Sequence, residues 1–262
     1  MTRFPVLFVS HGSPEVALED GAFGRALAAF GARTRPSSVI VVSAHWEERG
    51  PVRVGAARRN TAMHDFRGFP PELHALRYPA PGDPDLAARL VDRLDTNGIP
   101  ALPDPRRPLD HGAWVPLRFL YPDANVPVVP VSLPRPREPR LVARIGELAA
   151  PFRDEGALLL GSGGAVHNLG RIALDAPDRP DDDTAWARDF DRWIDERVRR
   201  HDVEALLDYR ERAPGAETAH PTSEHLDPLF FVLGASLPGD RVEVLHEGFE
   251  HGSLSMRTFA LG

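Results

Sequence analysis

Two stretches, VLFVSHGSPE at residues 6–15 and SVIVVSAHWEE at residues 38–48, each run an apolar, β-branched segment into a histidine. Strands that are buried on both faces of a parallel sheet are nearly continuous in apolar residues. Both stretches have that character until small polar residues interrupt them just before the histidine. They therefore predict two buried strands of an α/β sheet, the first ending on His11 and the second on His45.

Similar segments recur along the chain and alternate with helical periodicity. This alternation is typical of an α/β fold with a central, largely parallel or mixed sheet flanked by helices. Because ligands of open α/β sheets bind at the carboxyl ends of the strands, we expect the functional site there. Two proline-rich segments, 66–84 and 101–108, are predicted to be ordered loops. The predicted strands are 6–10, 39–44, 52–56, 128–133, 157–161 and 242–245, and the predicted helices are 84–94, 139–152 and 183–201.

The composition is that of an ordinary globular chain, which we expect to form one domain over residues 1–262. Its hydrophobic fraction is 42%, its charged fraction 26% and its formal net charge −7. Because Lys and Arg residues are not concentrated in a row, the chain is not expected to bind nucleic acid. The local basic cluster, RPREPR at 135–140, is interpreted as a solvated loop. No apolar run approaches the roughly 18 residues of a membrane helix, and no leader pattern is present. We therefore expect a cytoplasmic protein that has no membrane partner.

The chain has eleven histidines and no cysteine. Disulfides, zinc-thiolate sites and cysteine nucleophiles are thereby excluded. His167 follows the glycine-rich segment 161–164, where missing side chains would let the backbone approach a bound group. A further cluster, His220, Glu224 and His225, surrounds a predicted helix start with Thr222 or Ser223 as its cap.

A single histidine near a strand end is more often a structural residue than a ligand. Four histidine positions at comparable junctions change that balance, because imidazole is the commonest side-chain metal ligand. A cysteine-free set of imidazoles with an optional carboxylate suits zinc or non-haem ferrous iron. The residues therefore indicate a mononuclear site for one divalent metal at the strand ends.

Other residues have a functional and a structural interpretation. His111, in LDHGAW, is predicted at a loop-to-helix junction, either as an acid or base or in a capping environment where Asp110 is the better cap. His64 lies in a loop with Phe66 and Phe69, which either form the wall of an aromatic pocket or pack locally. His251 stays open between the two interpretations.

Eight motifs occur in order along essentially the whole chain, and together they resemble the class III extradiol ring-cleavage dioxygenases, in particular the DOPA 4,5-dioxygenase-like branch. Any one motif alone would be a weak signal, whereas eight in order identify the family. The motifs are SHGSP, SAHW, HDFRGFP, YPAPG, LDHGAWVPL, GSGGAVHNL, PTSEHLDPL and HGSLSMRTF.

The resemblance implies an α/β fold with a metal at the strand ends, Fe(II) for activity and often Zn(II) in isolated members. It implies that His11, His45 and His225 are metal ligands. It implies for His167 either a fourth ligand position or an acid/base role beside the metal. Glu224 is the alternative third ligand, or the partner that orients a ligand imidazole.

The implied reaction is cleavage of a small aromatic diol, a catechol, by O2 to a muconic semialdehyde-type acid. His167 or His111 would transfer protons, and His64 with Phe66 would shape the ring pocket. Arg67 and Arg77 would either pair with a substrate carboxylate or only be solvated. The alternatives are a zinc-binding member of the same fold with a hydrolytic or other reaction, and a metal-binding module without chemistry. The sequence does not indicate an oligomeric state.

Overall fold

The computed structural model describes residues 3–172, 181 and 184–262. Its main feature is an eight-stranded mixed sheet in the order β4-β3-β5-β2-β6-β1-β10-β7. The central strands β5, β2, β6 and β1 are parallel to one another, whereas β3 and β10 join them antiparallel. A separate hairpin pairs β8 with β9. The strands are β1 (Val6–Ser10), β2 (Ser38–Arg49), β3 (Val52–Gly55), β4 (Ala101–Asp104), β5 (Val128–Arg135), β6 (Ala157–Gly163), β7 (Val242–His246), β8 (Phe249–Glu250), β9 (Leu254–Ser255) and β10 (Thr258–Leu261).

Helices cover both faces of this sheet. Helices α1 and α4 pack against each other on one face, and α5 and α10 on the other. No described helix is long and apolar enough to cross a membrane. The helices are α1 (Ala22–Arg33), α2 (Pro71–Ala75), α3 (Pro84–Thr96), α4 (His111–Leu120), α5 (Pro139–Ala149), α6 (Ala185–Arg199), α7 (Val203–Leu207), α8 (Tyr209–Arg212), α9 (Ala216–Ala219) and α10 (Asp227–Ala235), with 3-10 turns at Pro14–Leu18 and Ala150–Arg153.

The core lies in two apolar layers, one on each side of the sheet. Successive residues of a strand point to opposite faces, so Leu7 and Val9 enter one layer while Val6 and Phe8 enter the other. All four side chains are fully buried. The central strands are therefore apolar on both faces, as the continuous runs predicted, and their polar residues are confined to the strand ends.

The predicted α/β class and all six predicted strands are confirmed, the first with the predicted bounds and the other five with different ones. The second strand does not end before His45 but continues to Arg49, with a register shift between Val42 and Glu47. The predicted helices correspond to α3, α5 and α6, although the predicted start at residue 183 lies outside the described residues. The predicted loops were partly wrong, because 66–84 contains α2 and 101–108 contains β4.

Candidate metal centre and aromatic cavity

The first two histidines come from the end of β1 and from β2, which lie on either side of β6 in the sheet. His11 follows β1 directly, and its backbone N–H donates to the carbonyl of Gly163 at 2.9 Å. His45 lies in the interrupted part of β2, where the ladder to β5 is broken. The Nε2 atoms of His11 and His45 lie only 3.1 Å apart.

The third histidine comes from a helix start. His111 is the first residue of α4, and Asp110 caps the helix by accepting a hydrogen bond from the N–H of Ala113 at 3.1 Å. At Gly112 an added Cβ would lie 2.4 Å from Ser43 Oγ and 2.9 Å from His45 Cδ2. Glycine therefore allows the first turn of α4 to approach the other histidines.

The remaining two candidate residues lie at the start of α10 and in the loop after β6. His225 precedes α10, and its ring centroid is 5.0 Å from that of His45 and 5.5 Å from that of His11. The ring of His167 stacks on His225 with a centroid distance of 3.4 Å and an interplanar angle of 5°. The structure thus brings all five predicted histidines to one place.

Two local predictions for this region were wrong. The glycines of β6 admit protein backbone rather than a bound group, because a Cβ at Gly163 would lie 2.0 Å from the carbonyl oxygen of His225. Neither Thr222 nor Ser223 caps α10: the N-cap is Leu226, and the Ser223 hydroxyl donates to the side chain of Asp227 at 3.2 Å.

The geometry of the histidine cluster fits a single metal ion. One nitrogen from each of His11, His45 and His111 lies within 4.8 Å of the others. Two nitrogens that bind one ion at about 2.0–2.1 Å lie about 3 Å apart, close to the separation of the Nε2 atoms of His11 and His45. The ligand atoms that meet here are imidazole nitrogens, whereas the cysteine-free sequence predicted imidazoles with an optional carboxylate.

Hydrogen bonds hold the Nδ1 side of the imidazoles away from the centre. The Ser162 hydroxyl donates to the carbonyl of Gly112, so its oxygen accepts the Nδ1–H of His11 at 3.0 Å. His225 Nδ1 lies 3.4 Å from a carboxylate oxygen of Glu224. Partners of this kind fix the tautomer and leave Nε2 as the free lone pair.

Asp65 plays the same part for His111, and sequence reasoning missed it although it stands between His64 and Phe66. Its Oδ1 accepts from both the backbone N–H and the ring Nδ1 of His111, each at 3.0 Å. Its other oxygen is 3.9 Å from Nδ1 of His45. Burial alone would raise the pKa of Asp65, but its hydrogen bonds with His111 and the charge of that ring lower it to about 2.

The candidate ligands are held as neutral bases. Burial, followed by the proximity of the other imidazoles, puts the pKa values of His11 and His225 well below the ordinary value. Burial likewise lowers the pKa of His45 to about 3 and that of His167 to about 4. Neutral imidazole is the form that binds a metal, so no protons need to be displaced at neutral pH.

A cavity of about 330 Å³ opens onto these histidines. Phe66 is part of its wall, with its ring 5.3 Å from that of Phe69 and 5.7 Å from that of His111. His64 is not part of the lining; its Nε2 lies 3.1 Å from the carbonyl of Leu76 and its ring packs against Phe66. The other lining side chains include the apolar Leu169, Ile172 and Leu254, with Ser13, Glu15 and His251 as polar members.

Neither candidate arginine lines this cavity. Arg77 donates to the carbonyls of His74 and Leu76, and Arg67 is exposed. Within the described residues, the cavity is therefore lined mainly by apolar side chains on its sides and by the imidazoles of the metal centre at its base. That combination suits a flat aromatic ring whose polar edge faces the metal centre.

Residues 6–261 match the family described as the catalytic LigB subunit of aromatic ring-opening dioxygenase. The chain belongs to this family. Membership in a family of ring-opening oxidoreductases agrees with the resemblance carried by the eight sequence motifs, and it sets aside the alternative of a metal-binding module without chemistry.

Several known proteins are similar to this chain over nearly its full length. The 4,5-DOPA dioxygenase extradiol of Escherichia coli (strain K12) is 38% identical, covering 100% of this chain and 96% of the relative. The protein of the same name from Beta vulgaris is 35% identical, covering 96% and 94%. An uncharacterized Escherichia coli K12 protein, JW3007, has a crystal structure that matches with a TM-score of 0.84 at 33% identity, covering 99% of this chain and 100% of that one.

Proposed function

We propose that this chain is a metal-dependent extradiol dioxygenase that cleaves the ring of a small catechol with O2 and releases a muconic semialdehyde-type acid. The observation that carries the proposal is the convergence of five histidines on the floor of an apolar cavity of about 330 Å³. Family membership and the full-length relatives named as 4,5-DOPA dioxygenases support the same reaction class.

We propose that these residues hold one divalent metal, either Fe(II) for activity or Zn(II) in the isolated protein. We propose His11, His45 and His225 as ligands, with His167 as a fourth ligand or as an acid/base beside them. His111 offers an alternative third position, since its ligand atom lies with those of His11 and His45. When bound, the metal would hold the diol and O2 together and supply the redox chemistry.

The protein's own residues bind the ring and move protons. Phe66 and Phe69 would pack on the ring and exclude water from the reacting edge. His111 donates its Nδ1–H to Asp65, so the Nε2 lone pair is the base that would accept a hydroxyl proton of the diol. After ring opening the same nitrogen would return the proton, as general acid/base catalysis requires.

Oxygen uptake by metal-reconstituted protein tests this function. The full chain is stripped of metal, loaded anaerobically with Fe(II) or Zn(II) in separate samples, and mixed with catechols that differ in their ring substituent. We expect oxygen consumption and a yellow, ring-opened product with iron and not with zinc. Stoichiometric metal binding without turnover of any catechol would instead support the zinc-binding alternative with a hydrolytic or other reaction.

A further inference from the structure

A second pocket, of about 630 Å³, lies outside the aromatic cavity and is lined by four arginines. We call it the arginine pocket: Arg49, Arg135, Arg137 and Arg210, with the hydroxyl residues Thr222 and Ser223. Its remaining described lining residues are prolines, so none of them carries a carboxylate. Two of the four arginines, Arg135 and Arg137, belong to the basic cluster at 135–140. From the sequence alone, this cluster was interpreted as a solvated loop.

The strand register places like charges side by side at this point. Arg49 and Arg135 occupy paired positions on the parallel neighbours β2 and β5. Like charges on neighbouring strands repel one another, and of this pair only Arg135 is matched by a carboxylate, that of Glu47. An anion beside Arg49 would therefore be attracted locally, even though the chain as a whole has a net charge of −7.

The carboxylates beside the arginine pocket neutralise only part of its charge. Glu47 is shared by two arginines, with Arg135 Nε at 3.1 Å from Oε1 and Arg137 Nη2 at 2.8 Å from Oε2. Arg49 and Arg210 form no ion pair with any described residue. Arg210 is nevertheless held in place, because its Nη1 donates to the carbonyl of His220 at 3.1 Å.

One carboxylate connects the arginine pocket to the metal centre. Arg137 Nη1 lies 3.2 Å from Oε2 of Glu224, and the Thr222 hydroxyl donates to Oε1 of the same side chain at 2.8 Å. That Oε1 atom is also the one that faces Nδ1 of His225. A ligand that engages Arg137 or Thr222 would therefore compete for the side chain that orients His225.

We propose that the arginine pocket binds a small oxyanion, a carboxylate or a phosphate, adjacent to the metal centre. Guanidinium groups bind both kinds of anion through the same planar pair of N–H donors. Inorganic phosphate is one source of this chemistry, and an organic acid is the other. The binding itself does not depend on ring cleavage, so it stands or falls separately from the proposed function.

The test is calorimetric titration of the full chain, as purified with its metal, with inorganic phosphate and with glutarate at constant ionic strength in chloride. We expect saturable binding of one anion per chain. The double variant Arg49→Gln with Arg210→Gln should weaken that binding at least about tenfold, since each change removes a charged hydrogen-bond donor. Arg58→Gln, an exposed arginine outside the pocket, is the matched control and should bind as the wild type does.

The titrations distinguish a phosphate site from a site for organic carboxylates, and two results would overturn the proposal. Saturation by phosphate alone identifies an inorganic phosphate site, and saturation by glutarate alone or by both identifies a site that accepts organic carboxylates. Equal affinity in the double variant would place the anion elsewhere, for example at the metal itself, and would overturn the proposal. If neither phosphate nor glutarate showed saturable binding in the chloride buffer, the proposal would be overturned as well. As a control, circular dichroism of each variant would check that the substitution leaves the fold intact.

Discussion

Asp65 holds His111 by two hydrogen bonds to the same carboxylate oxygen, one from the backbone N–H and one from ring Nδ1, each at 3.0 Å. The side chain of Asp65 is 17% exposed, and its charge is retained because its pKa lies near 2. This contact fixes both the position of the first residue of α4 and the tautomer of its imidazole. His111 therefore points Nε2, rather than Nδ1, toward the metal centre.

Replacing Asp65 with Asn should lower kcat by about 10- to 100-fold while leaving the metal content unchanged, because partners that orient a functional imidazole contribute on that scale. The reason is that the amide no longer fixes the tautomer of His111. Steady-state kinetics of the iron-loaded variant and metal analysis measure the two effects. Asp123→Asn, at an exposed position, is the matched control. Unchanged kcat in Asp65→Asn would exclude this role.

The metal content of single alanine variants shows whether His225 or His111 is the third ligand. We expect His11→Ala, His45→Ala and His225→Ala each to lose bound metal, and His111→Ala to retain it while losing activity. The measurement is the number of metal ions per chain after dialysis against a weak chelator. His201→Ala, at an exposed position, is the control. Metal loss in His111→Ala together with retention in His225→Ala would transfer the ligand role to His111.

Gly112 is expected to tolerate no side chain. An alanine Cβ would lie 2.4 Å from Ser43 Oγ and 2.9 Å from His45 Cδ2, so the start of α4 must shift away from the histidines. Overpacking of this kind costs about 1–3 kcal/mol, and we expect weaker metal binding in addition. Chemical denaturation and metal titration of Gly112→Ala provide the values. At Gly21 the nearest atom to an added Cβ is 3.8 Å away, and a Gly21→Ala control that was equally damaging would refute the steric explanation.

The stability of the metal-free protein should fall as the pH is lowered from 7 to 5. His220 is buried with its Nε2 at 3.0 Å from the carbonyl of Ala165, and burial lowers its pKa to about 4. The unfolded chain takes up a proton near pH 6.5 and the folded one only near pH 4, so stability present above pH 6.5 is lost on acidification. This residue alone accounts for about 2 kcal/mol over that interval.

Urea denaturation at several pH values checks this dependence. A His220→Gln variant should start from a lower stability and show a smaller loss between pH 7 and pH 5 than the wild type. An identical pH slope in the two proteins would show that His220 does not contribute to it.

The sequence predicted the central strands because they are buried on both faces and therefore continuously apolar. It predicted where α4 and α10 begin, at His111 and near His225, but not how far they extend. Both helices are buried on nearly all sides and thus lack the polar face that produces helical periodicity. The edge strand β4 was missed for a different reason. Its four residues include Pro103, and among the described strands β3 is its one neighbour.

The sequence predicted the five histidines of the site through their junction positions and through motif order. Asp65 and Ser162 were missed because their partners, His111 and His11, are distant in the chain and meet them only after folding. His64 was assigned to the ring pocket on the basis of proximity in sequence, whereas the fold places Phe66 between it and the metal centre. The single domain over 1–262, the cytoplasmic location and the site roles stay predictions.

The most direct test of the central claim is the fate of isotopically labelled dioxygen. The iron-loaded protein is mixed with a catechol under labelled O2, and the product is analysed by mass spectrometry within its first turnovers. We predict a ring-opened acid that contains both atoms of one O2 molecule, and no such product from the His11→Ala or His45→Ala variant. A quinone without incorporated oxygen, or the same ring-opened product from those variants, would contradict ring cleavage at this histidine centre.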